Sequence, residues 1–386
     1  MGRKGKATYQ GGIINVWKPA GLSSTQTSSK IKRITNNNKA GHVGTLDPFA
    51  DGVLPVALGR STNIIRYMDD FTKTYRVLIH FGQNTHTQDL SGEVVASNWP
   101  SQEDLDLFTT NPDVLTERLE EAKSKLVGEV TQAVPKYSAL KQDGKPLYWY
   151  ARQGIEVPVK TREIQVYSAN LIAAGVNDDI DNSQLLTEES LRANCPNEQK
   201  AILEHFPNWQ RVDSNLDEPA EVGLPSLWAI FDVKVSSGTY IRTWAEDLGN
   251  LLGYGAYAFR LRRLENGPYS LGSAFTVGEV EAAVQAGENF TDYREESGIL
   301  LSPADAIEEF SVLSLNPTEA KRFIQGQKLN ISYYNKTYND EVMLKLYYQD
   351  LFLGIGRILM KNGNEILHPE RMFTTVEYFD TRFTRN

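Results

Sequence analysis

The stretch Gly41-His42-Val43-Gly44-Thr45-Leu46-Asp47-Pro48-Phe49-Ala50-Asp51-Gly52-Val53-Leu54-Pro55 concentrates turn-forming residues around a carboxylate. Three glycines and two prolines in fifteen residues predict a tightly bent loop rather than a helix or a strand. Such a loop can hold Asp47 in a cleft, because its glycines let another backbone come close. The alternative is a structural turn in which Asp47 only bonds local amides. A phosphate-binding loop is excluded, since the required Gly-Lys-Ser/Thr does not follow.

A second segment that could carry chemistry is Ser237-Gly238-Thr239-Tyr240-Ile241-Arg242-Thr243, where a strand is predicted to pass into an amphipathic helix. The helix is indicated by apolar residues at helical spacing and by the glycine after them: Ile241, Ala245, Leu248, Leu252 and Gly253. Arg242 at such a junction can reach inward and bind a carboxylate through two hydrogen bonds. The alternative is a surface salt bridge.

A third segment, residues 136–162, mixes cations with aromatic rings. Its members are Lys136, Tyr137, Lys141, Lys145, Tyr148, Trp149, Tyr150, Arg152, Lys160 and Arg162. This mixture suits phosphate contacts combined with base stacking. The alternative is an ordinary solvated loop that packs its rings on the core. A further basic cluster consists of Arg260, Arg262 and Arg263.

The charge of the chain is concentrated in one segment. The net charge of −9 over 386 residues argues mildly against a nucleic-acid partner. Residues 175–223, however, contain eleven acidic and three basic residues, a local charge of −8, so the rest of the chain carries −1. The segment also lacks a sustained helical or strand period. We interpret it as an acidic surface insertion between two strands, on the side away from any bound RNA.

The composition and motif content exclude several classes of protein. No apolar run approaches the roughly 18 residues that span a bilayer, and the start of the chain lacks the apolar core of a secretory signal. The single cysteine, Cys195, excludes an intrachain disulfide framework. The five histidines lack zinc-ligand spacing, and there is no HExxH, Gly-x-Ser-x-Gly or Rossmann motif.

Alternating and helical patterns predict a mixed α and β structure. Residues 75–81, 164–171 and 228–235 are predicted strands, and residues 115–126 are a predicted helix. Two proline-containing helix starts, Ser302-Pro303 and Asn316-Pro317, follow. Two further predicted strands are residues 342–348 and 352–360, the second ending at an Asn362-Gly363 turn. The sequence therefore predicts one large α+β domain and a small C-terminal β module from about Gly326.

Together and in this order, these segments resemble the TruB family of pseudouridine synthases, specifically the stand-alone enzymes, of eukaryotic type, that isomerise uridine 55 of tRNA. The matching blocks are residues 17–24, 41–55, 73–76, 85–92, 137–141, 150–158, 238–243 and 261–264. Residues 302–329 and 353–373 look like the family's C-terminal tail with its PUA-like module. The acidic insertion is a departure from the compact bacterial members.

The resemblance implies a fold and a domain division. The fold is the α+β pseudouridine synthase fold, a long mixed and mainly antiparallel sheet flanked by helices, with a small PUA-like β module. The implied catalytic domain is residues 1–300, with an RNA-clamping segment at about 136–160. Residues 301–386 form the implied C-terminal helices and RNA-binding module.

The resemblance also assigns site residues. The family's catalytic aspartate falls on Asp47, its active-site aromatic on Tyr75, and the arginine that pairs with the aspartate on Arg242. His42 matches the histidine that fills the space left by the flipped base. The other implied substrate-binding residues are Tyr240, Lys18, Leu261, Arg152 and Lys141. Because the reaction exchanges no atoms with other molecules, we expect neither a cofactor nor a metal.

The implied partner is the TΨC arm of tRNA, bound by a monomer without a guide RNA or a membrane, in the nucleus, the mitochondrion or both. Two other interpretations stay open. One is a tRNA-folding chaperone on the same scaffold, and the other is a guide-RNA-dependent synthase that acts on ribosomal RNA.

Overall fold

The computed structural model describes residues 11–176, 227–288, 290, 298–334 and 338–383. The predicted acidic insertion at residues 175–223 lies, apart from its first two residues, outside the described residues. None of the described helices is both long and apolar enough to cross a membrane.

The described chain up to residue 276 contains fourteen strands. In chain order they are β1 (Ile13–Lys18), β2 (Ala40–His42), β3 (Asp51–Leu58), β4 (Lys73–Phe81), β5 (Gln83–Thr85), β6 (Val94–Ser97), β7 (Gly128–Ala133), β8 (Lys141–Gln142), β9 (Lys145–Pro146), β10 (Thr161–Val176), β11 (Leu227–Val235), β12 (Ala256–Asn266), β13 (Tyr269–Ser270) and β14 (Phe275–Thr276). Ten of them form one sheet with the order β14-β1-β3-β12-β4-β11-β10-β7, in which β2 pairs with β3 and β13 with β12. Only the β1–β14 and β3–β12 pairs are parallel. The sheet is therefore mixed and mainly antiparallel, as predicted.

Eight α-helices lie in the described residues: α1 (Ser24–Ile34), α2 (Gln102–Thr110), α3 (Pro112–Ser124), α4 (Leu147–Arg152), α5 (Ile241–Leu252), α6 (Val277–Gln285), α7 (Pro317–Ile324) and α8 (Val376–Phe383). Three short 3₁₀ helices, Gly59–Tyr67, Leu271–Ser273 and Pro303–Ile307, accompany them. The predicted helix at residues 241–252 is confirmed, and it ends at Gly253 because that residue adopts φ 85°, the left-handed conformation that suits glycine.

The two faces of the large sheet bury different cores. Helices α1, α2, α3, α5 and α6 pack on one face, where apolar side chains such as Ile31, Leu119 and Trp244 meet the strand residues Tyr75 and Val77. The opposite face packs against the 3₁₀ helices and the C-terminal sheet. The centre of the sheet is consequently covered on both faces, whereas the edge strands β7 and β10 expose alternate side chains to solvent. At the covered centre, functional side chains must emerge where strands and helices end.

The C-terminal sheet has the order β15-β17-β18-β19-β16. Its strands are β15 (Ser311–Ser314), β16 (Leu329–Asn330), β17 (Met343–Tyr348), β18 (Leu351–Lys361) and β19 (Asn364–Met372). Helices α7 and α8 complete a separate apolar core around Phe323 and Phe379. The predicted α+β class with a small C-terminal β module is confirmed.

One local prediction is wrong. Residues 41–55 are not a continuous loop, because Gly41 and His42 end β2 and residues 51–55 begin β3. Only residues 43–50 leave the sheet. The prolines and glycines that suggested a loop are accommodated by tertiary pairing: Pro55 lies opposite Asn15 of β1, and its carbonyl accepts a hydrogen bond from the Val43 amide at 2.9 Å.

Gly52 makes the closest backbone approach beside this loop. It has φ +108°, and a Cβ atom there would lie 2.3 Å from the carbonyl oxygen of Arg263 on β12. We expect Gly52→Ala to lower the free energy of unfolding by about 3 kcal/mol, because strain and overlap act together. Gly144→Ala is a matched control: its φ is +79° but nothing lies within 4 Å, so we expect a loss of about 1 kcal/mol. Urea unfolding of the two variants measures both values, and equal losses would contradict the close approach.

Candidate active site

Asp47 lies in the loop between β2 and β3, and its carboxylate meets Arg242 at the first turn of α5. The Arg242 Nε donates to one carboxylate oxygen at 2.9 Å, and an amino group lies 3.5 Å from the other. The Arg242 side chain is 3% exposed, whereas that of Asp47 is 34% exposed. The predicted pairing is therefore confirmed. It fixes the carboxylate on its inner side and leaves its outer side accessible.

The Arg242 guanidinium also binds two other segments of the chain. It donates to the Thr87 carbonyl at 2.6 Å and to the Tyr137 carbonyl at 3.0 Å. A second carboxylate, Asp89, lies 3.4 Å from the same guanidinium and is itself buried. Arg242 therefore connects the Asp47 loop, the turn after β5 and the start of the predicted RNA clamp.

Asp89 is a site residue that the sequence analysis left without a role. One of its carboxylate oxygens accepts from the Thr87 hydroxyl at 2.7 Å and from the Ser91 amide at 2.9 Å. Burial raises the pKa of the Asp89 carboxyl, and the Arg242 guanidinium opposes that rise. The sequence signal is Thr85, Thr87 and Asp89, three short polar side chains at alternating positions just after a strand.

The backbone of the Asp47 loop is bound by side chains from β12. Arg263 is fully buried, and its guanidinium donates to the carbonyls of Val53 at 2.7 Å and Gly44 at 3.0 Å. Asn266 donates to the Val43 carbonyl at 2.9 Å. In the described part of the chain, no carboxylate lies in salt-bridge distance of Arg263. Arg263 therefore binds the backbone of the loop. The sequence analysis grouped it with the basic cluster at residues 260–263 and did not predict this role.

The other end of the loop is bound by the chain around α1. The Ser24 hydroxyl donates to the Leu46 carbonyl and accepts from the Leu46 amide, both at 2.8 Å. Lys18, also fully buried, donates to the Leu22 carbonyl at 2.6 Å and approaches the Pro48 carbonyl at 3.4 Å. Burial lowers the pKa of the Lys18 ammonium to about 8, against the opposing effect of Asp51 and Asp47. The contacts of Lys18 in the structure are thus to backbone that positions Asp47, and its binding of substrate stays a prediction.

Three of the predicted site residues, Tyr75, Leu261 and His42, surround the loop. Tyr75 on β4 and Leu261 on β12 are buried in the core that also contains Leu46. His42, at the end of β2, is half-buried, with Nδ1 3.5 Å from the Ser28 hydroxyl of α1. Burial lowers the pKa of the His42 imidazole, and the nearby Arg263 adds to this effect, so the neutral ring is favoured.

Tyr240 immediately precedes α5, and hydrogen bonds to its backbone amide and carbonyl hold it in place. Its amide donates to the Gln132 side-chain oxygen at 2.8 Å, and its carbonyl accepts from the Gln132 side-chain nitrogen at 3.0 Å. Gln132 itself is buried on β7. This reciprocal pair fixes the first turn of α5, from which Arg242 projects.

The predicted clamp at residues 136–160 contains the β8–β9 hairpin and α4. Lys141 and Arg152 are both exposed, and Lys145 places its ammonium 3.5 Å from the centre of the Trp149 ring. The Tyr150 hydroxyl donates to the Gln142 carbonyl at 3.0 Å, which ties α4 to the hairpin. The structure therefore presents cations and rings together on a segment that is joined to the site through Tyr137.

A search for groups of three or more histidine, cysteine, aspartate or glutamate side chains able to hold a metal finds none among the described residues. The polar groups around Asp47 are instead guanidinium, ammonium, hydroxyl and amide donors. Such a set suits the orientation of a carboxylate and the binding of an anionic or polar ligand.

Arg263→Met tests the binding of the loop backbone. The substitution leaves the buried carbonyls of Gly44 and Val53 without this donor, and we expect the free energy of unfolding to fall by about 3 kcal/mol. Arg118→Met, which removes an exposed pair with Asp104, is the control and should cost less than about 1 kcal/mol. Urea unfolding measures both, and a loss for Arg263→Met no larger than the control's would contradict the assignment.

Comparison with known proteins gives the family. Residues 32–188 match the model described as TruB family pseudouridylate synthase (N terminal domain), and residues 311–373 match Pseudouridine synthase II TruB, C-terminal. A relative from Azoarcus sp. (strain BH72), named tRNA pseudouridine synthase B, is 32% identical over 97% of this chain and 99% of its own length. The protein of the same name from Geobacter sulfurreducens is 34% identical over 82% of this chain and 81% of its own length.

Solved structures support the fold. A chain in the crystal structure of a Cbf5-Nop10-Gar1 complex superposes with a TM-score of 0.59 at 20% identity, over 96% of this chain and 87% of that chain. A chain in an H/ACA RNP bound to a substrate RNA that contains 2′-deoxyuridine gives a TM-score of 0.58 at 18% identity, over 96% and 87%. Because residues 32–188 match the family model and a relative 32% identical covers 97% of the chain, this protein belongs to the TruB family of pseudouridylate synthases.

Proposed function

We propose that this chain isomerises uridine to pseudouridine in tRNA, at position 55 of the TΨC loop, as a monomer that needs no guide RNA. The observation that carries the proposal is the Asp47–Arg242 pair, whose carboxylate is fixed on one side and accessible on the other. The relatives that match over most of the chain are named for a tRNA substrate, which supports tRNA as the RNA class.

The reaction requires little more than a positioned carboxylate and a closed pocket. The N1–C1′ bond of uridine breaks, the uracil turns, C5 bonds to C1′, and a proton leaves C5 while another binds N1. No oxidant, reductant or group donor enters this balance. Asp47 is the carboxylate at this centre, and the Arg242 donors keep its oxygens aimed while charge develops.

The target base must leave the folded RNA loop before it reaches Asp47. Such extrusion costs a few kcal/mol in lost stacking. In this proposal Tyr75 stacks on the extruded uracil, and Leu261 and Tyr240 are further walls of the pocket. His42 stands at the end of β2, half-buried and favoured as a neutral ring, where it can occupy the vacated space.

The segment that supports independent tRNA binding is the clamp at residues 136–160. Its exposed Lys141 and Arg152 can contact phosphates, and its rings can stack on bases. The clamp is joined to the chemistry, because the Tyr137 carbonyl accepts a hydrogen bond from Arg242. RNA that orders the clamp would therefore also act on the guanidinium that holds Asp47.

The decisive test compares wild type with Asp47→Asn on an unmodified tRNA transcript, with pseudouridine mapped by carbodiimide-dependent reverse-transcription stops. We expect a stop at the TΨC uridine with wild type and a rate below roughly one thousandth of it with the variant. Asparagine keeps the size of the side chain and removes its charge, so RNA binding should persist.

The other outcomes identify the competing functions. Tight tRNA binding by wild type without any stop would favour a tRNA-folding chaperone. A stop that appears only when a guide RNA and its partner proteins are added would favour the guided enzyme.

Arg242→Lys tests the second member of the pair. A lysine ammonium cannot donate along the separate directions that reach Asp47, Thr87 and Tyr137 at once, so we expect single-turnover pseudouridine formation to slow by about 100-fold. Arg118→Lys is the matched control, because its exposed pair with Asp104 lies on α3 and α2, away from these contacts. Equal rates for Arg242→Lys and the control would contradict the role of the guanidinium fork.

A further inference from the structure

The beginning of this acidic chain contains no acidic residue. Residues 1–46 have no aspartate or glutamate, although the whole chain carries 49 acidic residues and a net charge of −9. In the described part of that stretch, five cations remain: Lys18, Lys30, Lys32, Arg33 and Lys39. Lys18 is buried against the Asp47 loop, whereas Lys30, Arg33 and Lys39 are exposed.

The two faces of helix α1 have different surroundings. Its inner face contains Ser24 and Ser28, which contact Leu46 and His42 of the candidate active site. Its outer face forms a shallow open depression lined by Leu22, Ser23, Thr25, Gln26, Ser29, Lys30 and Arg33. These residues recur at helical spacing along one side, over about 15 Å of helix from Ser23 to Arg33. Cationic and hydroxyl-bearing side chains therefore lie on the exposed side of the helix that supports the catalytic loop.

The cations on and just after α1 have no carboxylate partner among the described residues. Within the described residues, no aspartate or glutamate lies in salt-bridge distance of Lys30, Lys32, Arg33 or Lys39. Some cations of other helices are paired: on α3, Lys123 pairs with Glu120, Lys125 at its C-terminal end pairs with Glu121, and on α7 Lys321 pairs with Asp380. Repulsion among unpaired cations disfavours such a cluster unless an anionic partner offsets it.

We infer that the outer face of α1, with Lys30 and Arg33 at its centre, binds phosphates of the RNA strand that flanks the target uridine. The inference rests on the proposed function, since it takes the bound RNA to be the tRNA substrate. Two cations about one helical turn apart match successive charges along one strand. Ser29 and Gln26 beside them can donate to the same phosphate oxygens. Because the inner face of α1 contacts Leu46, an RNA strand bound on the outer face would lie one helix diameter, about 10 Å, from the loop that carries Asp47.

The double variant Lys30→Gln with Arg33→Gln tests the surface. We expect the Kd for a tRNA transcript to rise about tenfold at 0.1 M salt, and the slope of log Kd against log salt to fall by about 1.4, the value for two lost phosphate contacts with a single strand. The control, Lys123→Gln with Lys125→Gln, removes two cations from the last turn and C-terminal end of α3 and should leave both quantities unchanged.

Each outcome decides the inference. An unchanged Kd and salt slope in the α1 variant, with a wild type that still forms pseudouridine, would overturn the docking surface alone. A weakened Kd accompanied by a lowered melting temperature would also overturn it, because damage to the fold would then explain the weaker binding. An equal loss in the α3 control would overturn it as well, because the loss of any two cations would then have the same effect. Absence of pseudouridine with wild type would instead refute the proposed function.

Discussion

The structure of the site depends on one buried guanidinium. Arg242 binds the Asp47 carboxylate and the carbonyls of Thr87 and Tyr137, and it lies beside Asp89. Removing a cation from water is costly, and several well-directed hydrogen bonds offset that cost only when all of them are made. The loops that supply these acceptors are therefore constrained together. Displacement of any one of them leaves a buried charge or a buried carbonyl without its partner.

The loop that carries Asp47 is held in place by side chains from other elements of the structure. Arg263 and Asn266 reach it from β12, Ser24 from α1 and Lys18 from β1. Two of these groups are buried cations that donate to backbone carbonyls. A loop whose polar backbone groups are individually bound cannot relax freely around a substrate. The position of the Asp47 carboxylate is therefore fixed by the surrounding structure.

The cations of the protein fall into a buried group and an exposed group. The cations closest to Asp47 are buried, whereas Lys141 and Arg152 of the clamp and Lys30 and Arg33 of α1 are exposed. Acidic residues are concentrated in residues 175–223 and are absent from residues 1–46. An RNA strand that approaches the clamp or the outer face of α1 would thus meet exposed cations.

The sequence by itself determined the elements whose signals are local. The length of α5 and its end at Gly253, the start of α7 at Asn316, and the alternating strands all follow from interactions within a few residues. The resemblance to the TruB family, carried by motifs in the same order along the chain, also identified Asp47 and Arg242 as a pair. Tertiary structure decided the rest: the contact that joins this pair across a sequence separation of 195, the extension of β3 into the predicted loop, and the roles of Asp89 and Arg263. These depend on which strands become neighbours in the sheet, and strand order is set by burial and pairing between distant segments that no local pattern encodes.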